Sequence, residues 1–285
     1  MMDGDLLTIG GVRDTAGRRE TLGWESRRPL EVRLSRLGGR RWGAAGEGNE
    51  MSDVTLANLL DDAAFLSLEH QLHLVDVTGD RGWHVDLKGQ GRFTFTGDEP
   101  IVADRVHLLG SAAPGPRSWL WAWANPAGYP EAVTGLAASL RDFGAQHGIP
   151  ELTEPEVPFA ALPGGVDDPA SVVAIFMDVA KAVSGLWTSY NGPVGGGTRA
   201  AFVIEHPSFQ LPAPVGPRIA TVLQQGAMMP TLSDHRRAIH SYASKRGLGL
   251  QWNTEWSQVV ITAPGIRATV DFDGYARIEK IDIEM

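Results

Sequence analysis

The sequence predicts an α+β fold in which antiparallel sheets are packed with helices, and three observations support this prediction. Short alternating apolar runs are separated by turns rich in Gly, Pro, Asn and Asp, a pattern typical of antiparallel strands. Segments with apolar residues at helical spacing stand apart from these runs. Regular alternation of strand and helix, which would indicate a parallel sheet, is missing. We therefore expect a larger N-terminal domain and a small C-terminal domain in which helices precede a meander.

The composition is that of an acidic globular protein without cysteine. The 285 residues are 43% hydrophobic and 21% charged, with a formal net charge of -9. Negative charge repels a phosphate backbone, so we expect no nucleic-acid partner. No apolar run approaches the roughly 20 residues that cross a bilayer, and we expect no membrane association. The lack of disulfides and thiolate ligands fits a reducing compartment, which predicts a cytoplasmic protein.

Residues 1–50 differ in composition from the rest of the chain. They hold nine arginines and no lysine against eight acidic residues, and their apolar residues follow no regular period. A helical pattern begins abruptly after Met51, and the GEG just before it must be encoded by purine-rich codons like those of a bacterial ribosome-binding site. We therefore expect translation to start at Met51, which makes residues 1–50 a mis-annotated extension. A disordered, arginine-rich arm that binds a partner is the alternative.

The next part of the chain is expected to begin with a helix and continue as strands. The helix runs from Met51 to His70 or His73, with Ser52 or Asp53 as its cap. The turn TGDRG then breaks the chain, and four strands follow, with KGQG between the first two and APGP before the fourth. These strands are expected at Trp83 to Leu87, Arg92 to Thr96, Ile101 to Gly110, and from Ser118 through the tryptophan-rich stretch.

Two helices and a hairpin follow the tryptophan-rich strand. The first helix is expected from Pro130 to Gln146, and the Pro- and Glu-rich segment 150–165 after it is expected to be a surface connection. Asp168 as a cap and Pro169 in the first turn predict a second helix, Ser171 to Ser184. The hairpin is expected to pair Leu186 to Tyr190 with Ala200 to Glu205.

A Pro-rich segment, Pro207 to Pro217, marks the predicted boundary between a domain of residues 51–212 and a domain of residues 213–285. One or two helices are expected beyond it, the clearer from Leu232 to Lys245. Strands joined by tight turns complete the chain. They are expected at Leu248 to Asn253, Gln258 to Thr262, Arg267 to Phe272 and Arg277 to Ile283.

Three stretches, WHVDL, LLGSAAPGPRSWLWAWANP and SYNGPVGGGTRAAFV, together resemble an uncharacterised bacterial domain family that is common in actinobacteria. Its signature is a Gly-Ser turn region followed by Ser/Thr-Trp-Leu-Trp-Ala-Trp-Ala-Asn. The resemblance covers about Ser52 to Glu205. It implies a shared fold and a bacterial, cytoplasmic protein, and it carries over neither an activity nor a catalytic residue.

The tryptophan row is the most conspicuous candidate for a site. In one continuous strand, Trp119, Trp121, Trp123 and Asn125 would share a face, with small side chains on the other. Both faces would then be apolar, which favours a central strand covered twice, while one indole edge bordering a groove is the alternative. The residues expected to border such a groove are Trp83, Asp86, Trp121, Trp123, Asn125 and Tyr190.

Other motifs indicate chemistry less strongly. EHQLH contains Glu69, His70 and His73, but zinc peptidase motifs place their histidines four residues apart, so a polar helix end is favoured. HRRAIH (235–240) is typical of a solvated helix face. GPVGGGTR lacks the Gly-Lys-Ser/Thr of a phosphate loop and lies between strands, which predicts a hairpin loop. Gly-x-Ser-x-Gly is absent. We predict neither a metal nor a cofactor.

These observations favour a non-catalytic binding or interaction module whose partner is a protein or a small molecule. Two alternatives stay open: an enzyme, for example a hydrolase, with a site near the tryptophan strand, and an immunity or antitoxin-like protein. A pocket that gathers two or more groups with perturbed pKa near Trp83 and Asp86 would favour the enzyme. An apolar surface patch would favour a binding partner. The sequence leaves the oligomeric state open.

Overall fold

The computed structural model describes residues 54–285, so the expectations for residues 1–50 and for caps at Ser52 and Asp53 lie outside the described residues. Within this part of the chain, six helices combine with three antiparallel sheets. The α+β class with packed antiparallel sheets is therefore confirmed. None of the helices in residues 54–285 is long and apolar enough to cross a bilayer.

Helices and strands follow one another without regular alternation. The helices are α1 (Leu56–Thr78), α2 (Glu131–His147), α3 (Pro150–Thr153), α4 (Pro169–Ser184), α5 (Gly216–Gly226) and α6 (His235–Arg246). The strands are β1 (Trp83–Asp86), β2 (Arg92–Phe95), β3 (Ile101–Val102), β4 (Arg105–Ala113), β5 (Ser118–Trp121), β6 (Glu156–Pro158), β7 (Ser189–Gly195), β8 (Thr198–Glu205), β9 (Gly249–Trp252), β10 (Gln258–Ala263), β11 (Ile266–Phe272) and β12 (Ile278–Glu284).

Capping side chains fix where the long helices begin. Thr55, Asp168 and Asp234 each accept a hydrogen bond from a backbone N–H in the first turn of α1, α4 and α6. These bonds satisfy donors that a helix cannot satisfy within itself. Gly185 and Gly247 end α4 and α6 in the left-handed conformation that glycine adopts without strain. The predicted start and end of α4 are therefore confirmed.

The central sheet has the strand order β6-β5-β4-β8-β7, and its two faces are covered differently. Register places Trp121 opposite Gly110 on β4, and Gly110 opposite Ala201 on β8, so these residues share a face. Phe176 of α4 stacks on Trp119 at 4.5 Å between ring centroids, which identifies this face as the one that α4 covers.

The opposite face of the central sheet meets the small sheet β1-β2-β3. Phe202 of β8 lies 6.1 Å from Trp83 and 5.6 Å from Phe93 between ring centroids. The register places Ser111 opposite both Leu120 and Ala200, so these residues share the face of Phe202. The small sheet covers only part of this face and leaves the area around Leu108 and Ala200 open.

The C-terminal part folds as helices followed by a four-stranded meander of order β12-β11-β10-β9, as predicted. It has its own buried cluster, which includes Ile239, Tyr242 and Val259. Helix α1 contributes to both cores, because Leu59 belongs to the N-terminal cluster and Phe65 to the C-terminal one. The division into domains at residues 212 and 213 stays a prediction.

Acidic side chains of α1 join it to α6. The Asp62 carboxylate accepts two hydrogen bonds from the Arg237 guanidinium, at 2.8 and 2.6 Å. About two turns further on, the Glu69 carboxylate accepts hydrogen bonds from Arg246 Nε at 2.8 Å and from the Tyr242 hydroxyl at 3.0 Å. Glu69 is only 1% exposed, so the expectation that EHQLH forms a polar helix end was wrong. The cause is the packing of α6 over α1, which supplies partners from a distant part of the chain.

Two expected elements were also wrong because of long-range pairing. The strand expected from Ile101 to Gly110 is divided, since the Ala103 N–H donates to Phe93 of the small sheet and the Asp104 N–H donates to Glu205 of the central sheet. The chain therefore passes from one sheet to the other between these neighbouring residues. The segment 150–165 contains α3 and β6, and its large apolar side chains lie in the core, so it is not a surface connection.

The expectation of a solvated face at HRRAIH was wrong as well. Arg237 pairs with Asp62, and Ala238 and Ile239 are buried in the C-terminal cluster. The two adjacent arginines make the segment look solvated in sequence. In the structure Arg237 pairs with Asp62, and Arg236 packs over the ring of Phe272 at 5.7 Å. Charged ends on an otherwise buried helix make the segment look polar in sequence.

Candidate ligand groove

A groove of about 1110 Å³ lies on the face of the central sheet opposite α4. Its floor contains Leu108, Ala200 and Phe202, which are buried and apolar. Its walls are the stretch 84–89, the turn 125–130 and the tip of the β7–β8 hairpin. The volume is slightly above the usual range for ligand pockets, about 300–1,000 Å³. The groove exists because the small sheet leaves this part of the central sheet uncovered.

The strand β1 borders the groove with its edge. The groove is lined by three consecutive residues of β1, from His84 to Asp86, whereas a strand that presents a face contributes alternate residues. Residues 87–89 of the turn after β1 extend this lining. β1 is an outer strand of the small sheet and pairs only with β2 among the described strands. Backbone groups of β1 that point away from β2 therefore face the groove.

Polar side chains stand on all three walls. Asp86 and Lys88 lie on the stretch 84–89, Asn125 and Tyr129 on the turn 125–130, and Thr198 on the hairpin. The Asp86 carboxylate accepts a hydrogen bond from the Lys88 N–H at 3.0 Å, and the Asn125 side-chain oxygen accepts one from the Ala127 N–H at 2.9 Å. Each bond orders its own turn, so these two walls are built by local interactions.

Two of the six residues expected at the groove line it, namely Asp86 and Asn125. Trp83 and Tyr190 lie beside the floor, where their rings are 5.5 Å apart and Trp83 also contacts Phe202. Burial raises the pKa of the Tyr190 hydroxyl, an effect that the nearby Arg199 reduces. These two aromatic rings pack beside the floor of the groove without lining it.

Trp121 and Trp123 are not brought to the groove. Trp121 is fully buried on the face covered by α4, and its indole N–H donates to the Glu151 carbonyl at 3.0 Å. The strand ends at Trp121, and Ala122–Ala124 form a turn of 3-10 helix, so the expected row of four residues on one face is wrong beyond this point. Trp123 instead packs under the Arg141 guanidinium, 5.3 Å from its ring centroid. The core interpretation of Trp121 agrees with this placement.

Gly192 allows Trp83 to lie close to β7. A Cβ atom at residue 192 would be 2.6 Å from Cε2 of Trp83, a separation that real Cβ contacts do not reach. The close approach positions Trp83 beside the floor of the groove. Glycine is required here by contact and not by backbone conformation.

Replacing Gly192 with alanine is expected to destabilise the protein by about 1–3 kcal/mol, because the added methyl group overpacks the contact with Trp83. Denaturant unfolding measures this change. The matched control is Gly135→Ala, since Gly135 lies in α2 and a Cβ there would have no neighbour within 4 Å. Alanine in that helix is expected to stabilise by about 0.5–1 kcal/mol. Equal effects of the two substitutions would contradict the close packing of Trp83 on Gly192.

The predicted hairpin is confirmed, but its expected bounds were wrong, because β7 continues to Gly195 and β8 begins at Thr198. Only Gly196 and Gly197 form the tip between the strands. Gly196 and Gly197 have φ angles of 56° and 77°, the left-handed pair that a tight hairpin turn needs. The adjacent Val194, Gly195 and Thr198 line the groove. The loop therefore contributes to the candidate site through its position.

Sequence reasoning missed several lining residues, among them Lys88, Tyr129 and Thr198. Lys88 belongs to the KGQG turn and Tyr129 to NPAGYP, and both stretches were interpreted as turns alone. A turn that follows an outer strand is a usual place for binding residues, which is the signal that could have identified them. The large pKa shifts lie elsewhere: burial raises the pKa of Asp61 to about 6 and lowers the pKa of His70 to about 3.

The groove lies within the part of the chain that matches a protein-family model. A family model described as a family of unknown function (DUF6882) matches residues 57–207. No curated protein and no solved structure matches the chain. The expectation of an uncharacterised domain family is confirmed, while its motif, its bacterial range and a cytoplasmic location stay predictions. All residues that line the groove lie within the matched region. Because the match covers more than half of the 285 residues, the chain belongs to this family of unknown function (DUF6882).

Proposed function

We propose that this chain is a non-catalytic binding module whose groove takes an extended peptide segment as an added strand along β1. The observation that carries the proposal is the unpaired edge of β1 within the groove. An extended peptide gains main-chain hydrogen bonds from such an edge and side-chain selectivity from the surrounding pockets.

The pairing of β1 with β2 determines which backbone groups face the groove. The Thr96 N–H donates to the Gly82 carbonyl at 2.8 Å, which marks these two residues as a hydrogen-bonded pair. Such pairs recur at every second residue of an antiparallel ladder. The backbone N–H and C=O of Val85, which lies between two such pairs, therefore point away from β2. A peptide strand would pair with Val85.

The rest of the groove suits an extended chain that presents alternate side chains to it. Leu108, Ala200 and Phe202 offer apolar contact to residues that point at the floor. Asp86 and Lys88 are exposed at the β1 side and offer charges of both signs to residues that point outwards. The expected ligand is therefore a segment in which apolar and polar residues alternate.

Backbone methylation of a bound peptide tests this proposal. Eight-residue peptides selected against the full chain from a randomised display library are resynthesised with one N-methyl group at each position in turn. A peptide that pairs with one strand uses the N–H of every second residue. We expect methylation to weaken binding by at least about tenfold at alternate positions, since each such group loses a hydrogen bond and clashes with β1. Fluorescence anisotropy gives the dissociation constants.

Filling the floor provides the second arm of the test. Ala200→Leu should reduce peptide affinity, whereas Ala161→Leu, at an exposed position outside the groove, should leave it unchanged. Melting curves check that both variants are folded. Failure to select any peptide, a methylation profile without alternation, or full binding to Ala200→Leu would each count against the proposal.

A further inference from the structure

A second cavity, of about 300 Å³, lies where α1, the end of α4 and α6 meet, and we call it the junction cavity. His70 of α1, Trp187 after α4, and Lys245 and Arg246 of α6 line it. It shares no lining residue with the groove. All four of these side chains carry nitrogen donors, and none of the residues lining the junction cavity is acidic.

Lys245 brings a positive charge whose hydrogen-bond acceptors are neutral. Its ammonium group donates to the Asp62 carbonyl at 3.3 Å and to the Ser241 hydroxyl, both of which are neutral acceptors. The Asp62 carboxylate is already held by the two hydrogen bonds from Arg237. Lys245 is exposed as a residue, while its ammonium is partly buried 5.9 Å from the Trp187 ring centroid. This burial lowers the pKa of the Lys245 ammonium, and the Asp62 carboxylate raises it.

Arg246 and His70 provide further donors deeper in the cavity. Arg246 uses Nε and Nη2 for Glu69 and for the Pro212 carbonyl, and no described residue accepts from its Nη1. Nδ1 of His70 is buried without a partner among the described residues. The His70 ring is nearly parallel to that of Trp187, with an interplanar angle of 22°. A buried polar atom without a partner is costly unless a ligand or water supplies one.

The charges that surround the cavity leave an excess of one cation. Glu69 is paired with Arg246, Asp62 with Arg237, and Asp178 with Lys181, whose ammonium is 3.2 Å from the Asp178 carboxylate. Lys245 remains over and above these pairs. Burial is the largest cause of the lowered pKa of His70. The positive charges of Lys181, His73 and Arg246 lower this pKa further.

We infer that the junction cavity binds a small oxyanion, the phosphate or carboxylate group of a small molecule. Lys245 supplies the opposite charge, Nη1 of Arg246 and Nδ1–H of His70 donate hydrogen bonds, and the face of Trp187 packs against the part of the ligand next to the anion. Charge-assisted hydrogen bonds of this kind are among the strong ones in proteins. A bound anion would join α1 to α6 and so stabilise the contact between the two cores.

Titration of the full chain with inorganic phosphate tests the inference, with sodium chloride added to a second sample at equal ionic strength. We expect a saturable rise in melting temperature with phosphate only, and a shift of the Trp187 indole ¹H–¹⁵N resonance, assigned with a Trp187→Phe variant. Lys245→Met should weaken phosphate binding by at least about tenfold through loss of a charge-assisted hydrogen bond. The matched control is Lys280→Met, because Lys280 is an exposed lysine paired with Asp282 on the C-terminal sheet, and it should bind phosphate normally.

A parallel titration with sodium acetate distinguishes the two sources of the oxyanion, since a shift at Trp187 with either anion supports the site. The resonance of wild-type Trp187 keeps the test valid if Lys245→Met fails to fold. Absence of a saturable shift at Trp187 with both anions, or phosphate binding by folded Lys245→Met with wild-type affinity, would overturn the inference. Neither result depends on peptide binding in the groove.

Discussion

Replacing Trp121 with alanine is expected to lower the free energy of unfolding by about 3–5 kcal/mol, which is the range for removing a large aromatic side chain from a core. Trp121 is fully buried and lies 5.0 Å from Phe176 and 5.4 Å from Trp119 between ring centroids. The cavity left behind would be bordered by α4 and by β4, whose positions are fixed by many other contacts, so collapse would recover little of the loss. The substitution would also leave the Glu151 carbonyl without its indole donor.

Chemical denaturation followed by circular dichroism measures the effect of Trp121→Ala. The control is Tyr275→Ala, since Tyr275 is an aromatic residue that is 80% exposed and its removal should change stability little. Unchanged stability of Trp121→Ala would contradict the buried position of the ring. Peptide binding by the folded fraction should be retained, because Trp121 lies on the face of the central sheet away from the groove.

The second large effect is expected at Glu69, where alanine should destabilise by about 3–5 kcal/mol, as breaking a buried ion pair does. The Glu69 side chain is 2% exposed, and its loss leaves the Arg246 guanidinium and the Tyr242 hydroxyl without their shared acceptor. Most of the cost is the burial of an unpaired charge. The double variant Glu69→Leu with Arg246→Met should therefore be much less destabilised than Glu69→Ala.

An exposed ion pair provides the comparison for Glu69. Lys280 and Asp282 are 2.6 Å apart, but their side chains are 62% and 53% exposed. Asp282→Ala should change the unfolding midpoint little, because water screens such a pair. Similar midpoints for Glu69→Ala and Asp282→Ala would show that the contact between α1 and α6 contributes far less than its burial indicates.

Local chemistry made the helices and hairpins predictable. Asp168 and Pro169 indicate the start of α4, and Gly185 indicates its end, because capping depends on residues that are neighbours in sequence. Long-range pairing was not predictable. No local sequence signal indicates that the chain changes sheets between Ala103 and Asp104. The Ala103 N–H nevertheless bonds to the small sheet and the Asp104 N–H to the central sheet.

The prediction of the groove residues was limited in the same way, because long-range packing decides which side chains reach the groove. Asn125 was included because it would share a strand face with the tryptophans, whereas in the structure Asp86 and Asn125 line the groove from the turns that each of them orders. Trp121 was included because three tryptophans in alternation look purposeful, but alternation does not tell which face a helix will cover. The uncovered face carries Ser111, Ala200 and Phe202, residues that look like ordinary strand residues in sequence. Likewise Asp62 and Glu69 resemble solvent-facing acids until α6 provides their arginines.

The position of α1 between two cores limits how this protein can be divided or recombined. The family match ends at residue 207, before α5 and α6. An expression fragment or gene fusion cut at that point would leave Phe65 without Tyr242, and Asp62 and Glu69 without their arginine partners. We therefore expect the matched region, expressed alone, to be an incomplete folding unit in this chain. A transplant of the groove into another protein would have to carry α6 with it.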